Sequence, residues 1–458
     1  MPKSIPILLL TILIPFPSQA LPPSPPLVIT ANRWQEPRQN APVLTTIITR
    51  EEIERQGATL LAQALSGKPG SFIATTGTFG QQTSLFTRGT ESNHTAILIN
   101  GRRLNPNLDS GYDLASLSLD NVERIEIIRS PAAPLYGPDT IGGVVNIITR
   151  DGRSLEKTQS WATLEAGSFQ TLKTRLGSRG QWKFLDYSVE AGRFASDYLR
   201  DNNQTRQLSG RGHFGFQISK DHYLALQGEA NHLDAGIPGN RFFPTPQEAN
   251  IVRETWSITS EWRWQTLQNW LQVLSIGHNR SRQAVIDSFS HNRIQYNLWQ
   301  LDYRSELSWD KVNLVAGLQS SDAQIYRYNA TIGQRDIENS QTHLGFYAQA
   351  GWQAIDRFHL TQSIRYDHYS DFPEAWTYRS ALAYRVPKTE TLLRASFGRS
   401  YSPPNAQDLY FPFFSNPALR SEKSEGSEAG VEQPFFKRSP APPRHLLLQP
   451  HHGPNPIF

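Results

Sequence analysis

The 458-residue chain contains no cysteine. Disulfides, thiolate metal sites and cysteine nucleophiles are therefore excluded together. It has a single methionine and no apolar run of about 20 residues, so a helical membrane protein is excluded as well. The net charge is only +4, from 45 Lys and Arg against 41 Asp and Glu, spread without clusters. A nucleic-acid partner, which calls for a basic face, is not indicated. What the chain does have is aromatic residues: 11 Trp, 16 Tyr and 22 Phe, with ten of the Trp beyond position 160. A polar chain rich in aromatics and glycine fits a transmembrane β-barrel, where only alternate residues of each strand face lipid.

The first twenty residues read as a signal peptide. Lys3 supplies a short positive start, Ile5 to Phe16 is apolar but too short to span a bilayer, and Ser18 and Ala20 suit cleavage after Ala20. The mature chain is then expected to begin at Leu21. Residues 21–42 are Pro-rich, with Pro22, Pro23, Pro25 and Pro26 barring helix and central strand. Within them, Leu27, Val28, Ile29, Thr30 and Ala31 form a β-prone pentad with no partner of its own. It is either a linker or a segment able to pair with another protein's sheet edge.

Residues 43–151 read as a small α+β domain. Val43–Ile48 is strand-like, and Thr49 to Glu52 has capping-box wording before a helix that breaks near Gly57 and resumes through Leu65. Ala96–Ile99 is a buried-type strand followed by the hairpin signal Asn100-Gly101. Val122–Ile128 and Val144–Ile148 are further strands. No nucleophile–base pair can be assembled from spacing, and no H-E-x-x-H, G-x-S-x-G or P-loop pattern occurs, so no enzyme activity is expected.

From 155 to 432 the chain alternates. Asn297, Trp299, Leu301, Tyr303, Leu307 and Trp309 make one face, opposed by Leu298, Gln300, Asp302, Arg304, Glu306 and Ser308. Trp376, Tyr378, Leu382, Tyr384 and Val386 oppose Thr377, Arg379, Ala381, Ala383 and Arg385, and 342–352 repeats the pattern from Leu344 to Trp352. Aromatics at both ends of apolar faces are the girdle of an outer-membrane barrel. Short turns at Ser219–His222, Ser308–Lys311, Ala354–Arg357 and Pro387–Glu390 alternate with longer connections at Phe194–Thr205, Leu233–Val252, Ala284–Gln295, Tyr326–Ser340 and Tyr401–Arg420. About fourteen strands are expected. Residues 433–458 hold seven Pro and three His and cannot continue the pattern.

The segments Arg88–Leu104, Asn121–Arg129, Pro131–Gly137 and Ile141–Thr149 resemble, in order and spacing, the plug of TonB-dependent outer-membrane receptors. Leu27–Ala31 with Asn32-Arg33-Trp34 resembles the TonB box of the cobalamin (vitamin B-twelve) receptor branch. Asn416-Pro417-Ala418-Leu419 with Glu422, Ser424, Glu428 and Gly430 resembles a motif inside the family's barrel. Ser130, where the family usually has Gly, and Pro134 and Pro138 beside Leu135-Tyr136-Gly137 depart from the pattern.

The resemblance implies an all-β transmembrane antiparallel β-barrel enclosing an N-terminal α+β plug domain, in the outer membrane. It divides the chain into a signal peptide (1–20), a periplasmic TonB-box segment (21–42), a plug (43–151), a partial barrel (155–432) and a Pro-rich tail (433–458). Some fourteen of about 22 strands are present, so the chain reads as truncated at its C-terminus and non-functional as written. The implied function is uptake of a scarce large nutrient, driven by the inner-membrane TonB protein, by a monomer embedded in outer-membrane lipid and needing no cofactor. Cobalamin is the first ligand and a ferric siderophore the alternative; haem ranks lower for want of an axial His pair. A passive porin or a binding remnant without energised transport is the reading from another class. By match to the cobalamin branch, plug-apex contacts to ligand fall on Thr78, Phe79, Gln81, Gln82, Asn105, Asn107, Asp109 and Tyr112. Asp197 and Asp201, with Asn202 and Asn203, are thin candidates for a calcium loop.

Overall fold

The computed structural model describes residues 28–29, 32–34, 36–37, 40–104, 111–129, 131–153, 155–239, 249–287, 291–411 and 415–433. The signal peptide, Leu27, Thr30, Ala31, Asn105, Asn107, Asp109, Ser130 and the tail from 434 lie outside the described residues.

The N-terminal part contains β1 (Val28–Ile29), β2 (Glu36–Pro37), β3 (Thr45–Thr49), α1 (Arg50–Gln56), α2 (Leu61–Leu65), β4 (Ser71–Thr75), β5 (Thr83–Thr87), β6 (Thr95–Ile99), β7 (Arg102–Arg103), β8 (Val122–Ile128), α3 (Ala133–Tyr136) and β9 (Gly143–Thr149). Five of these strands form one mixed sheet in the order β3-β8-β9-β6-β7, in which only β6 and β9 run parallel. Thr49 caps α1 by accepting the Glu52 backbone N–H. The reciprocal half of the capping box does not form, because the Glu52 carboxylate takes Lys68 and Gln56 instead. Gly57 ends α1 at φ +65°, a left-handed angle that favours glycine. Asn100 (φ +51°) and Gly101 (φ +81°) join β6 to β7 as the tight hairpin that Asn-Gly specifies. Ile48, Ile53, Leu61, Leu65, Ile97, Leu114, Ile125 and Ile147 pack as the core of this domain.

The second part is a single antiparallel sheet of fourteen strands in strict sequence order. They are β10 (Gln159–Gly167), β11 (Thr171–Trp182), β12 (Leu185–Ser196), β13 (Thr205–Ser219), β14 (His222–Gly236), β15 (Asn250–Leu267), β16 (Trp270–Ile286), β17 (His291–Ser308), β18 (Val312–Asn329), β19 (Gln334–Ile355), β20 (Phe358–Tyr369), β21 (Ala375–Arg385), β22 (Leu392–Ser402) and β23 (Glu422–Glu432). A short helix, α4 (Ala406–Tyr410), lies in the last long connection. Among the described residues, β10 and β23 are not paired with each other, so the sheet is an incomplete, unclosed barrel. Among the described residues, no helix is long and apolar enough to cross a membrane.

The sheet curls around the N-terminal domain with its polar face inward, as the alternation requires. Trp299 is 53% exposed on the outer face, whereas Thr377 and Arg379 are nearly fully buried on the inner one. On β17, Trp299 and the Trp309 that follows it are ten residues apart, about 33 Å along a strand. At a tilt near 40° that spans about 25 Å, the height of the apolar band in such barrels. Short turns fall on one side, the longer loops on the other, but two expected loops are mostly strand. β18 and β19 pair through Asn329↔Gln334, leaving four residues of the expected Tyr326–Ser340 connection, and β16 and β17 extend to Ile286 and from His291. Tyr326, Arg327 and Tyr328 carry the ladder on through this stretch, where period-two polarity no longer marks it.

Candidate functional site

The site begins at the N-terminal segment. The pentad is not without an internal partner: Val28 pairs with Pro37 and Ile29 with Glu36 in a two-strand ladder. Between these strands the chain turns through Asn32, Arg33 and Trp34, each of which is buried against the barrel wall. Asn32 donates from its side-chain amide to the Glu36 carboxylate. Its backbone carbonyl accepts from Gln349 at 2.8 Å, and its Oδ1 accepts from Arg379 at 3.1 Å. Arg33 has φ +64°, a strained angle for a side chain of its size. Its guanidinium donates to the Leu135 carbonyl (3.0 Å) and to Asp302 Oδ2 (2.9 Å), and lies about 5 Å from the ring centres of Tyr136 and Tyr347. Trp34 fits because β19 has Gly351 there; a Cβ at that position would approach the indole to 2.8 Å. Burial pushes the Glu36 carboxyl up to about 7, against the opposing pull of Asn32, Trp34 and Arg379. The three-residue turn is thus a clasp, polar at Asn32 and Arg33 and apolar at Trp34, holding the segment beside the lumen.

Of the expected apical residues, the first loop is tied to the barrel. The Thr78 hydroxyl donates to Asn203 Oδ1 at 2.6 Å, Phe79 stacks on Phe194 at 4.2 Å, and Gln81 donates to the Gly236 carbonyl at 2.6 Å. Gln82 alone of the four is exposed. Tyr112 packs against the N-terminal core, and burial raises its hydroxyl pKa. Of the calcium candidates, Asp197 is ion-paired with Arg206 at 2.6 Å and Asp201 is exposed.

Several contacts of comparable importance carry no sequence signal. Arg102 donates to Asn279 and Ser257, both at 2.8 Å, and Arg103 pairs with Asp139. Arg253 reaches Asp113 on the plug side. These join residues far apart in the chain, and only the Asn-Gly turn hints that Arg102 and Arg103 sit at a hairpin end. Beside the clasp, on the short-turn side, lies a cavity of about 820 Å³ lined by Arg33, Asn100, Arg153, Tyr223, Arg263 and Arg304 among others. A smaller cavity, about 110 Å³, shares Arg33, Asn100 and Arg304 and continues past the Arg102–Arg103 hairpin towards the long-loop side. Among the described residues, the plug thus fills the lumen but leaves a polar, arginine-lined seam here.

The TonB-dependent receptor plug domain matches residues 37–144, and the TonB-dependent receptor-like β-barrel matches residues 186–439. Among solved structures, the ferric yersiniabactin uptake receptor of Yersinia pestis is 16% identical with a TM-score of 0.67, covering 86% of this chain and 70% of its own. The siderophore receptor PiuA of Acinetobacter baumannii is 14% identical with a TM-score of 0.74, covering 88% and 71%. The alcaligin outer-membrane receptor FauA of Bordetella pertussis is 17% identical with a TM-score of 0.71, covering 89% and 71%. At these identities the likeness is one of fold. The chain spans 62–71% of the length of such structures. The two domain matches cover well over half of the sequence and coincide with the plug and the lipid-facing sheet, so the chain belongs to the TonB-dependent receptors of the outer membrane.

Proposed function

We propose that this protein is the receptor of an energised uptake system, in which TonB adds a strand to Leu27–Ala31 and pulls on the plug. The single observation that carries this reading is the clasp at Asn32–Trp34. A segment that precedes the plug is held to the lumen wall by polar contacts of Asn32 and Arg33, which can be exchanged for water, and by the one side chain of Trp34 in the cluster shared with the barrel. A β-prone strand gains backbone pairing from a partner's sheet edge with no side-chain chemistry required. The plugged lumen argues against a passive pore, and no chemistry on the ligand is assigned.

The ligand we assign is cobalamin, on the wording of the box and plug segments, captured by Gln82, Tyr112 and the loop containing Asn105, Asn107 and Asp109. Thr78, Phe79 and Gln81 shape that surface from beneath. A ferric siderophore is the second reading, favoured because the similar solved structures include siderophore receptors. The decisive experiment is titration of the detergent-solubilised chain with cobalamin and with a ferric siderophore. Saturable cobalamin binding supports the first reading, and preference for the siderophore reverses the ligand while keeping the transport class. Uptake that survives deletion of residues 27–31 would refute energised transport.

A further inference from the structure

Among the described residues, one group of His, Cys, Asp or Glu side chains brings three donor atoms close enough to share a cation: Glu91, His94 and Glu422, all within 4.8 Å of one another. Glu91 precedes, and His94 ends, a single 3-10 turn, Ser92–His94, that leads into β6. Glu422 opens β23 at its long-loop end, opposite Ser402. It faces the plug, as do Glu428 and Glu432 on the same side of the strand, which reach Arg88 and Arg394. The site therefore sits where plug and barrel meet, and the turn that carries it abuts the apical loop: a Cβ on Gly111 would come within 2.5 Å of the Ser92 carbonyl.

His94 is only 5% exposed. Its Nε2 is shielded from solvent and makes no hydrogen bond, yet it points at Glu422 Oε2, 3.2 Å away. A buried ring nitrogen left in this way calls for a partner. Nδ1 accepts the Glu91 backbone N–H at 3.4 Å, longer than the usual 2.7–3.2 Å, so a cation on Nε2 has only this weak bond to displace when the proton moves to Nδ1. That move frees the Nε2 lone pair towards the two carboxylates.

We propose that Glu91, His94 and Glu422 bind a divalent borderline cation, with Zn²⁺ as the probe, and that the ion ties the plug turn to β23. One imidazole and two carboxylates with a water in the fourth position make an ordinary tetrahedral zinc set. Bonds of about 2.0–2.2 Å place tetrahedral donors roughly 3.4 Å apart. The observed spread closes to that by rotation of the two exposed Glu side chains. Calcium and magnesium, which need about six or more oxygen donors, are poorly served here.

The test uses the full chain in detergent, stripped of metal and titrated with Zn²⁺ against a chromogenic chelator. His445→Gln, His451→Gln and His452→Gln form the background, so that the tail histidines contribute nothing. The expected result is one equivalent bound at or below about 1 μM. His94→Gln and Glu422→Gln should each weaken binding by more than tenfold, and Zn²⁺ should slow hydrogen exchange over residues 90–95. Circular dichroism establishes that each variant is folded, and the exposed Glu91→Gln provides a third, conservative probe. Absence of saturable binding, or affinity unchanged in both folded His94→Gln and Glu422→Gln, overturns the proposal.

Discussion

Arg33 holds a left-handed backbone angle only because its guanidinium is gripped by Leu135, Asp302, Tyr136 and Tyr347. Removing one partner of a buried pair leaves the other charge unpaired, a loss of up to about 3–5 kcal/mol. Asp302 keeps Gln319 and Tyr347 as donors, so a figure nearer about 2 kcal/mol is expected, roughly a 30-fold shift towards the undocked segment. A spin label on Cys introduced at Val28, in a chain with no other Cys, should become mobile in Arg33→Ala. Glu36 gives the clasp a pH dependence. Its folded pKa is raised by burial, so its contribution is fully present below the ordinary carboxylate value and is lost as pH rises through about 7. The same label should be more mobile at pH 8 than at pH 5, and Glu36→Gln should remove that difference.

At the scale of elements, β9 is the central constraint of the plug. Gly143, at φ +127°, lies between β8 and β6, and a Cβ there would come within 2.1 Å of the Ile128 carbonyl. Neither a flexible side chain nor open space is available to absorb the clash. Gly143→Ala is expected to cost about 3 kcal/mol or more, from backbone strain and overpacking together. Gly101→Ala should cost only about 1 kcal/mol, because a Cβ at the hairpin meets nothing within 4 Å and only the left-handed angle is penalised. Denaturant unfolding of the two variants in detergent, followed by tryptophan fluorescence, should rank them in that order. Of the barrel elements, the strand faces followed from alternation alone, but the reach of β18 and β19 past Tyr326 did not. There the neighbouring strand, rather than a local period, extends the ladder.

As a whole molecule, the sheet has fourteen strands and two edges, β10 and β23. In hydrocarbon each unsatisfied backbone N–H or C=O costs several kcal/mol, so such edges cannot both rest in lipid. This 458-residue chain, refolded alone in detergent, is expected to migrate identically on a gel whether or not it is boiled. A faster unboiled band, the mark of a closed barrel, would contradict this. The plug, by contrast, has its own core and is additionally seated on the barrel through a shared cluster in which Trp34, Leu135 and Tyr136 meet Val315, Tyr347 and Ala381. It should therefore retain protected amides even where the edge strands exchange.

The sequence by itself determined which residues face lipid and which face the lumen, because a period of two is a local property: Trp299 and Asp302 were assignable from their neighbours alone. It also determined the Asn100-Gly101 turn, whose geometry two residues specify, and the order of plug strands before barrel strands. Only the tertiary structure decided what those lumen residues do. Asp302 meets Arg33 across 269 positions of chain, Asn203 meets Thr78 across 125, and His94 meets Glu422 from opposite domains. No local pattern encodes such pairs, since each depends on the curl of the sheet around the plug. The same reason explains Glu36, a carboxylate in a Pro-rich segment, whose raised pKa comes from desolvation that outweighs the pull of Asn32, Trp34 and Arg379.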